Sequence, residues 1–234
     1  MSGSVGAVLL AAGQGRRLGH DKSMTAIAGQ PVLAYGLRVL LNCPGIETVV
    51  VTVREELRKE TEVWVKKNLE KEAPRVGVIA GGKERQDSVW AGLEALRGGV
   101  EWVVVHDAAR VLTTTSLIER VIAQAETTGA AAAARKMTDT VRMADGDGKV
   151  EKLLDREGLW RMETPQVVRR RILQQGLERA RTEGRVVTDC LAAAELAGCK
   201  GVLVEANEPN LKITVPADWE LAEAWLGSAN KEWR

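Results

Sequence analysis

Residues 5–11, 47–53, 76–80, 101–106 and 130–134 are short, predominantly apolar stretches, and the segments between them carry helical spacing or turn signals. Apolar runs of this length, bounded by glycines and charged residues, read as strands buried on both faces. The intervening helices are placed at 31–41, where Pro31 sits in the first turn, and at 55–71, 84–96 and 115–126. Strand–helix alternation restricts the chain to an α/β fold, a mostly parallel sheet with helices on both faces. At 234 residues, 1–234 is read as one domain. Ligand sites in such sheets lie beyond the carboxyl ends of the strands. Gly13 and Gly15, Gly81 and Gly82, and Asp107 all fall at such ends, so three loops are expected to converge on one site.

The first of these loops is glycine-rich and cationic. Gly13, Gly15 and Gly19 allow tight turns and close approach of backbone N–H groups to a ligand. Arg16, Arg17 and Lys22 add positive charge, and the combination suits a polyphosphate. The dinucleotide fingerprint G-x-G-x-x-G fails because Leu18 occupies its last glycine position, and no ribose-binding acid closes a second strand. The P-loop pattern fails because Asp21 precedes Lys22. A dehydrogenase is therefore disfavoured. A solvated basic turn is the plain alternative.

Net charge is +1 with both signs interspersed, which gives neither a nucleic-acid stripe nor a membrane-binding face. No apolar run approaches the roughly 20 residues of a membrane span, and residues 1–5 do not begin a signal peptide. Cys43, Cys190 and Cys199 are odd in number and lack C-x-x-C spacing, which predicts reduced thiols in a cytoplasmic protein.

Between about 138 and 160 the pattern changes. Residues 140–143 and 149–154 alternate in polarity around Asp145-Gly-Asp-Gly148, which predicts an antiparallel hairpin. A lone hairpin is too small to be stable, so it is expected to pack on a second subunit or to form a flap over its own site. The sheet resumes at 159–166, followed by helices at 169–181 and 189–196, a strand at 201–205 and a closing helix at 216–226.

Leu10-Ala-Ala-Gly-x-Gly-x-Arg17 with Lys22 resembles the signature of nucleotidyltransferases that join a sugar or polyol phosphate to a nucleotide. Gly81-Gly-x-x-Arg85-x-x-Ser88, His106-Asp-Ala-Ala-Arg110, Asp139-Thr140, Leu159-Trp-x-x-x-Thr-Pro-Gln166, Thr188-Asp189 and Asn210-x-Lys212-Ile-Thr follow in order. The set is similar to the 2-C-methyl-D-erythritol 4-phosphate cytidylyltransferases, over about 5–226. The resemblance implies a Rossmann-like nucleotidyltransferase fold and transfer of CMP from CTP to the polyol phosphate with release of pyrophosphate. It further implies a homodimer joined by the β-arm.

Carried residue by residue, the resemblance gives Lys22, Lys212 and Arg16 as the catalytic cations. Ala11, Ala12, Gly13, Gly15, Gly82, Arg85, Ser88 and Ala108 would surround CTP, and Asp107 would hold Mg2+ or Mn2+. Thr140 and Arg156 would reach the polyol phosphate from the neighbouring subunit, with Asp139, Thr188 and Asp189 orienting the groups around it. His106 is read as structural, and a helix N-cap is the plain alternative for Asp189.

Some positions depart from the family pattern: Asp21, Val111 and Lys136 replace prolines, Cys190 replaces an aspartate, and Pro209 replaces an acid that Glu208 neighbours. Both lysines and the principal aspartate are kept. The competing readings are a cytidylyltransferase for ribitol 5-phosphate or another polyol phosphate, and a silent CTP-binding homologue.

Overall fold

The computed structural model describes residues 3–13 and 22–228. In the first strand, β1 (Ser4–Leu10), Val5, Ala7 and Leu9 face one apolar cluster and Val8 the other, and all four are fully buried. Neither face meets water, which is why the strand reads as an unbroken apolar run. A short antiparallel pair follows, β2 (Ala26–Ile27) and β3 (Gln30–Pro31). Then come α1 (Val32–Asn42), β4 (Ile46–Val53), α2 (Glu55–Asn68), β5 (Val76–Ala80), α3 (Arg85–Ala95), β6 (Val100–Asp107), α4 (Thr115–Thr128) and β7 (Ala130–Lys136). The hairpin β8 (Val141–Ala144) and β9 (Val150–Leu154) leads into the long strand β10 (Trp160–Arg169). The described chain closes with α5 (Arg170–Thr182), α6 (Cys190–Leu196), β11 (Val202–Glu205) and α7 (Pro216–Ser228).

Seven strands form one sheet in the order β11-β7-β10-β6-β1-β4-β5. β10 runs antiparallel to both β6 and β7, and every other pairing is parallel. α1, α2 and α4 cover one face, and α3, α5 and α6 cover the other. Residues 130–134 are five consecutive alanines, all fully buried, so helices on both faces approach this part of the sheet closely. A third, smaller cluster joins Ile27, Val32, Val111, Leu112, Ile213 and Ala222. It fixes the segment before α7 against the loop after β6, and so brings residues distant in sequence to the same end of the sheet.

Most boundaries fall within three residues of the sequence expectation, which is the normal uncertainty of helix ends. α4 runs to Thr128 because Gly129, at φ 91°, supplies the left-handed residue that ends it. β6 includes Asp107 as its last residue, so that side chain is set by the sheet rather than by a loop. The hairpin forms where the alternation placed it, with Val141 opposite Leu154, and the Asp145 carboxylate accepts from the N–H groups of Asp147 and Lys149 to close its turn. Among the described residues no helix is long and apolar enough to cross a membrane.

Candidate active site

The carboxyl ends of β1, β4, β5 and β6 open onto a cleft of about 700 Å3. Its floor is stitched strand to strand. The N–H of Ala11 donates to the carbonyl of Thr52 at 2.8 Å, that of Gly81 to Val53 at 2.7 Å, and that of Ala108 to Leu10 at 3.0 Å. Three loops that the sequence placed at strand ends are thus held on one surface. A Cβ on Gly81 would lie 2.4 Å from Cβ of Ala12, and one on Gly82 would lie 2.2 Å from Cβ of Asp87. Neither neighbour is the tip of a flexible side chain, so only glycine lets this turn pass between β1 and α3. Ser88, at the foot of α3, accepts from the Gly82 N–H at 3.0 Å and keeps the turn in place.

Charge in the cleft centres on Asp107. Lys212 donates to its Oδ2 at 2.7 Å, and Arg85 Nε lies 3.8 Å from Oδ1. Burial alone would raise the Asp107 carboxyl, but Lys212 and Arg85 outweigh it and hold the group well below the usual carboxylate range. Asp107 is therefore ionised throughout the neutral range. Lys22 donates its ammonium to the carbonyl of Ile213, the residue after Lys212, so both lysines meet at one edge of the cleft although 190 positions separate them. Arg85 is anchored on its far side: Nη2 donates to Oε1 of Gln166 at 3.1 Å and Nη1 to Sγ of Cys190 at 3.7 Å. Burial pushes the Cys190 thiol up, so at neutral pH it faces Arg85 uncharged. His106, fully buried beside this group, is driven down to about 4 by desolvation and rests against the Thr164 hydroxyl at 3.0 Å, a structural setting.

Ala11, Ala12, Gly13, Lys22, Gly82, Arg85, Ser88, Asp107, Ala108 and Lys212 all line this cleft. Arg16 and Gly15 lie outside the described residues. The remaining expected contacts are elsewhere. Asp139, Thr140 and Arg156 sit exposed on or beside the hairpin and do not line the cleft of their own chain. Arg156 donates to the carbonyl of Thr138, which holds it against the base of the arm. Asp189 is the N-cap of α6, its Oδ1 accepting from Ala192 N–H at 2.8 Å, and Thr188 is exposed beside it. Glu208 does not face the cleft: Arg120 grips both its oxygens at 2.9 and 3.0 Å, and its carboxyl is pulled down to about 2 by that hydrogen bond.

Sequence reasoning missed Arg54 and Lys83, two further cations of the lining, and the acids Glu55 and Glu56. The signal was present, because Arg54 immediately follows β4 and residues just past a parallel strand face the ligand side. Gln166 was quoted only as part of a motif. Its role in bracing Arg85 needed the fold.

The residues present fit a divalent cation of the magnesium type. Among the described residues no three His, Cys, Asp or Glu side chains gather into a metal-binding group; Glu55, Glu56 and Glu84 also line the cleft, and Asp107 is the carboxylate that ends a strand of the sheet beside Lys212. Mg2+ is commonly bound by one or two carboxylates, with substrate phosphates and water supplying the rest. Such a site takes its metal together with a polyphosphate rather than before it.

Residues 5–228 match the family profile described as 2-C-methyl-D-erythritol 4-phosphate cytidylyltransferase. The protein of that name from Syntrophus aciditrophicus is 37% identical over 231 residues, covering 97% of each chain. Its counterpart from Shewanella amazonensis is 38% identical over 229 residues, 96% of this chain and 94% of the other. Among solved structures, 4-diphosphocytidyl-2C-methyl-D-erythritol synthase from Anaerococcus prevotii superposes with a TM-score of 0.82 at 26% identity, covering 96% of this chain and 99% of that one. The 2-C-methyl-D-erythritol 4-phosphate cytidylyltransferase of Thermus thermophilus gives 0.77 at 26% identity, over 94% and 98%.

Proposed function

The chain belongs to the 2-C-methyl-D-erythritol 4-phosphate cytidylyltransferase family, and we propose that it transfers the cytidylyl group of CTP to 2-C-methyl-D-erythritol 4-phosphate. The observation that carries this reading is the cleft itself. Lys22 and Lys212 converge beside an ionised Asp107 at the carboxyl ends of parallel strands, where such sheets bind their ligands. Ribitol 5-phosphate has no comparable support from the family match.

A phosphate oxygen of the polyol phosphate attacks the α-phosphorus of CTP. The new P–O bond forms as the bond to the bridging oxygen of the β-phosphate breaks, and that electron pair leaves with pyrophosphate. No protein nucleophile is required, so the catalytic work is alignment and charge neutralisation. Lys22 and Lys212, held together through Ile213, meet the charge on the α-phosphate and the leaving group. Arg85, braced by Gln166, adds its charge to the cleft beside Asp107, and Gly81, Gly82 and Ser88 shape the nucleoside side of the cleft. Asp107 would hold a magnesium ion, which supplies further charge neutralisation on the phosphates. Arg16 is proposed as a further cation of the glycine loop. A cytoplasmic location accompanies this reading.

In the reaction mixture, phosphorus NMR should show free pyrophosphate together with two mutually coupled resonances of a new diphosphate ester. Pyrophosphate without the coupled pair would mean that CTP is merely hydrolysed and would sink the assignment.

Arg156 and Thr140 are proposed to complete the polyol-phosphate end of a partner's cleft, since neither lines its own. Guanidinium is the side chain suited to a terminal phosphate. Arg156→Ala is therefore expected to raise KM for the polyol phosphate far more than KM for CTP. A sharper check uses two impaired proteins. After subunit exchange, an equal mixture of Arg156→Ala and Lys22→Ala chains should regain roughly a quarter of the wild-type sites, because half the dimers then carry one complete site. A mixture no more active than its components would show that the arm serves its own chain.

A further inference from the structure

Glu163 is a buried carboxylate for which the reaction above has no use. It lies on β10 at 1% exposure, in a stretch where the pairing with β7 shifts register between Met162 and Gln166. Its Oε1 faces Arg161 Nη2 at 3.1 Å and Arg135 Nε at 3.6 Å, so its charge is balanced by guanidinium. Its Oε2 accepts from Asn210 Nδ2 at 2.8 Å. Asn210, 3% exposed, donates again to the carbonyl of Thr164 at 2.9 Å, while its Oδ1 accepts from the Thr113 hydroxyl at 2.6 Å. Its own carbonyl accepts from Arg110 Nη1 at 2.6 Å. Both amide hydrogens and both oxygens of this residue are thus engaged, which is the condition under which a buried polar network rigidifies its surroundings.

Those partners belong to two elements. Arg110 and Thr113 sit in the loop that follows Asp107, and Glu163 and Thr164 sit on β10. Three residues further on, the N–H of Ile213 donates to the carbonyl of Ala109 at 2.9 Å. Lys212 is therefore flanked by anchors at 210 and 213, and both grip the loop that follows Asp107. A flipped Asn210 amide would turn its oxygen toward Glu163 Oε2 and the Thr164 carbonyl, oxygen against oxygen, so the carboxylate selects the amide orientation that the anchor needs.

We infer that Asn210, oriented by the buried carboxylate of Glu163, is a positioning residue that sets the Asp107–Lys212 pair. The inference rests on the reading that Lys212 acts on the substrate phosphates. Asn210→Ala removes the side-chain anchor. Glu163→Gln keeps the shape and removes the charge that selects the amide orientation.

In steady-state turnover of CTP and 2-C-methyl-D-erythritol 4-phosphate with magnesium, kcat per folded protein should fall on the order of 10²-fold in Asn210→Ala and about tenfold in Glu163→Gln. KM for CTP should stay within about threefold, because uniform binding is untouched. In the same proteins, an amine-acylating reagent read by peptide mass should label Lys212 faster than in the wild type, since its carboxylate partner is no longer held in register. Unchanged kcat and unchanged labelling in Asn210→Ala, whatever its melting temperature, would overturn the inference. An effect of Asn210→Ala with none from Glu163→Gln would overturn the part given to Glu163. If Asn210→Ala does not fold, Glu163→Gln decides by the same two readouts. A wild-type protein inert toward both substrates would remove the proposed function instead, and the labelling rate would still decide the positioning role.

Discussion

Lys22→Ala is expected to lower kcat on the order of 10²–10³-fold, the loss that follows removal of one preorganised donor from a developing anion. The fold should survive. The Lys22 ammonium donates to the backbone carbonyl of Ile213. The Ile213 side chain stays fully buried among Ile27, Val32, Val111, Leu112 and Ala222, contacts the substitution leaves alone. Thermal melting should shift little while turnover collapses. Lys22→Arg is not a conservative rescue, because a planar guanidinium cannot place one compact charge where the ammonium sat. Turnover near the wild-type rate in Lys22→Ala would remove the lysine pair from the mechanism.

Asp107→Asn is the second large effect, and its sign differs between binding and turnover. Asp107 is an anion on the floor of a cleft proposed to take a triphosphate. Without a bridging cation it repels that ligand, so CTP affinity measured by calorimetry in the absence of magnesium should rise in the variant. Turnover in magnesium should fall on the order of 10²–10³-fold, because the carboxylate that would hold the ion is gone and Lys212 has lost its charged partner. Manganese binding followed by electron paramagnetic resonance in the presence of CTP should weaken in parallel. A variant that loses CTP affinity with and without metal would instead show Asp107 to be a scaffold for Lys212 alone.

How much of this was legible in the sequence depends on how local each signal is. The parallel strands were readable because both of their faces are covered, so residues 5–11 and 102–105 are apolar without interruption. The rule that ligands lie beyond strand carboxyl ends then located Gly81, Gly82 and Asp107 without any contact being known. The direction of β10 was not readable. Apolar character does not distinguish a parallel strand from an antiparallel one, and only pairing with β6 and β7 decides it. Lys212 was found as part of a motif, whereas its 2.7 Å pairing with Asp107 spans 105 positions and depends on the small cluster that docks Ile213. Glu163 gave no signal, because a lone glutamate in a strand reads as surface until three arginines are folded around it. Asp189 carried two readings of equal weight, and the structure shows it capping α6. The hairpin was legible from Asp145-Gly-Asp-Gly148 and its flanking alternation, but a sequence does not say which chain an arm reaches.

The measurement that tests the central claim most directly is the rate of pyrophosphate release from CTP and magnesium, with 2-C-methyl-D-erythritol 4-phosphate and ribitol 5-phosphate offered in parallel. The account predicts release that depends on the methylerythritol phosphate and stays at background with ribitol phosphate. Release with ribitol phosphate alone, or none with either substrate while CTP still binds, would contradict it.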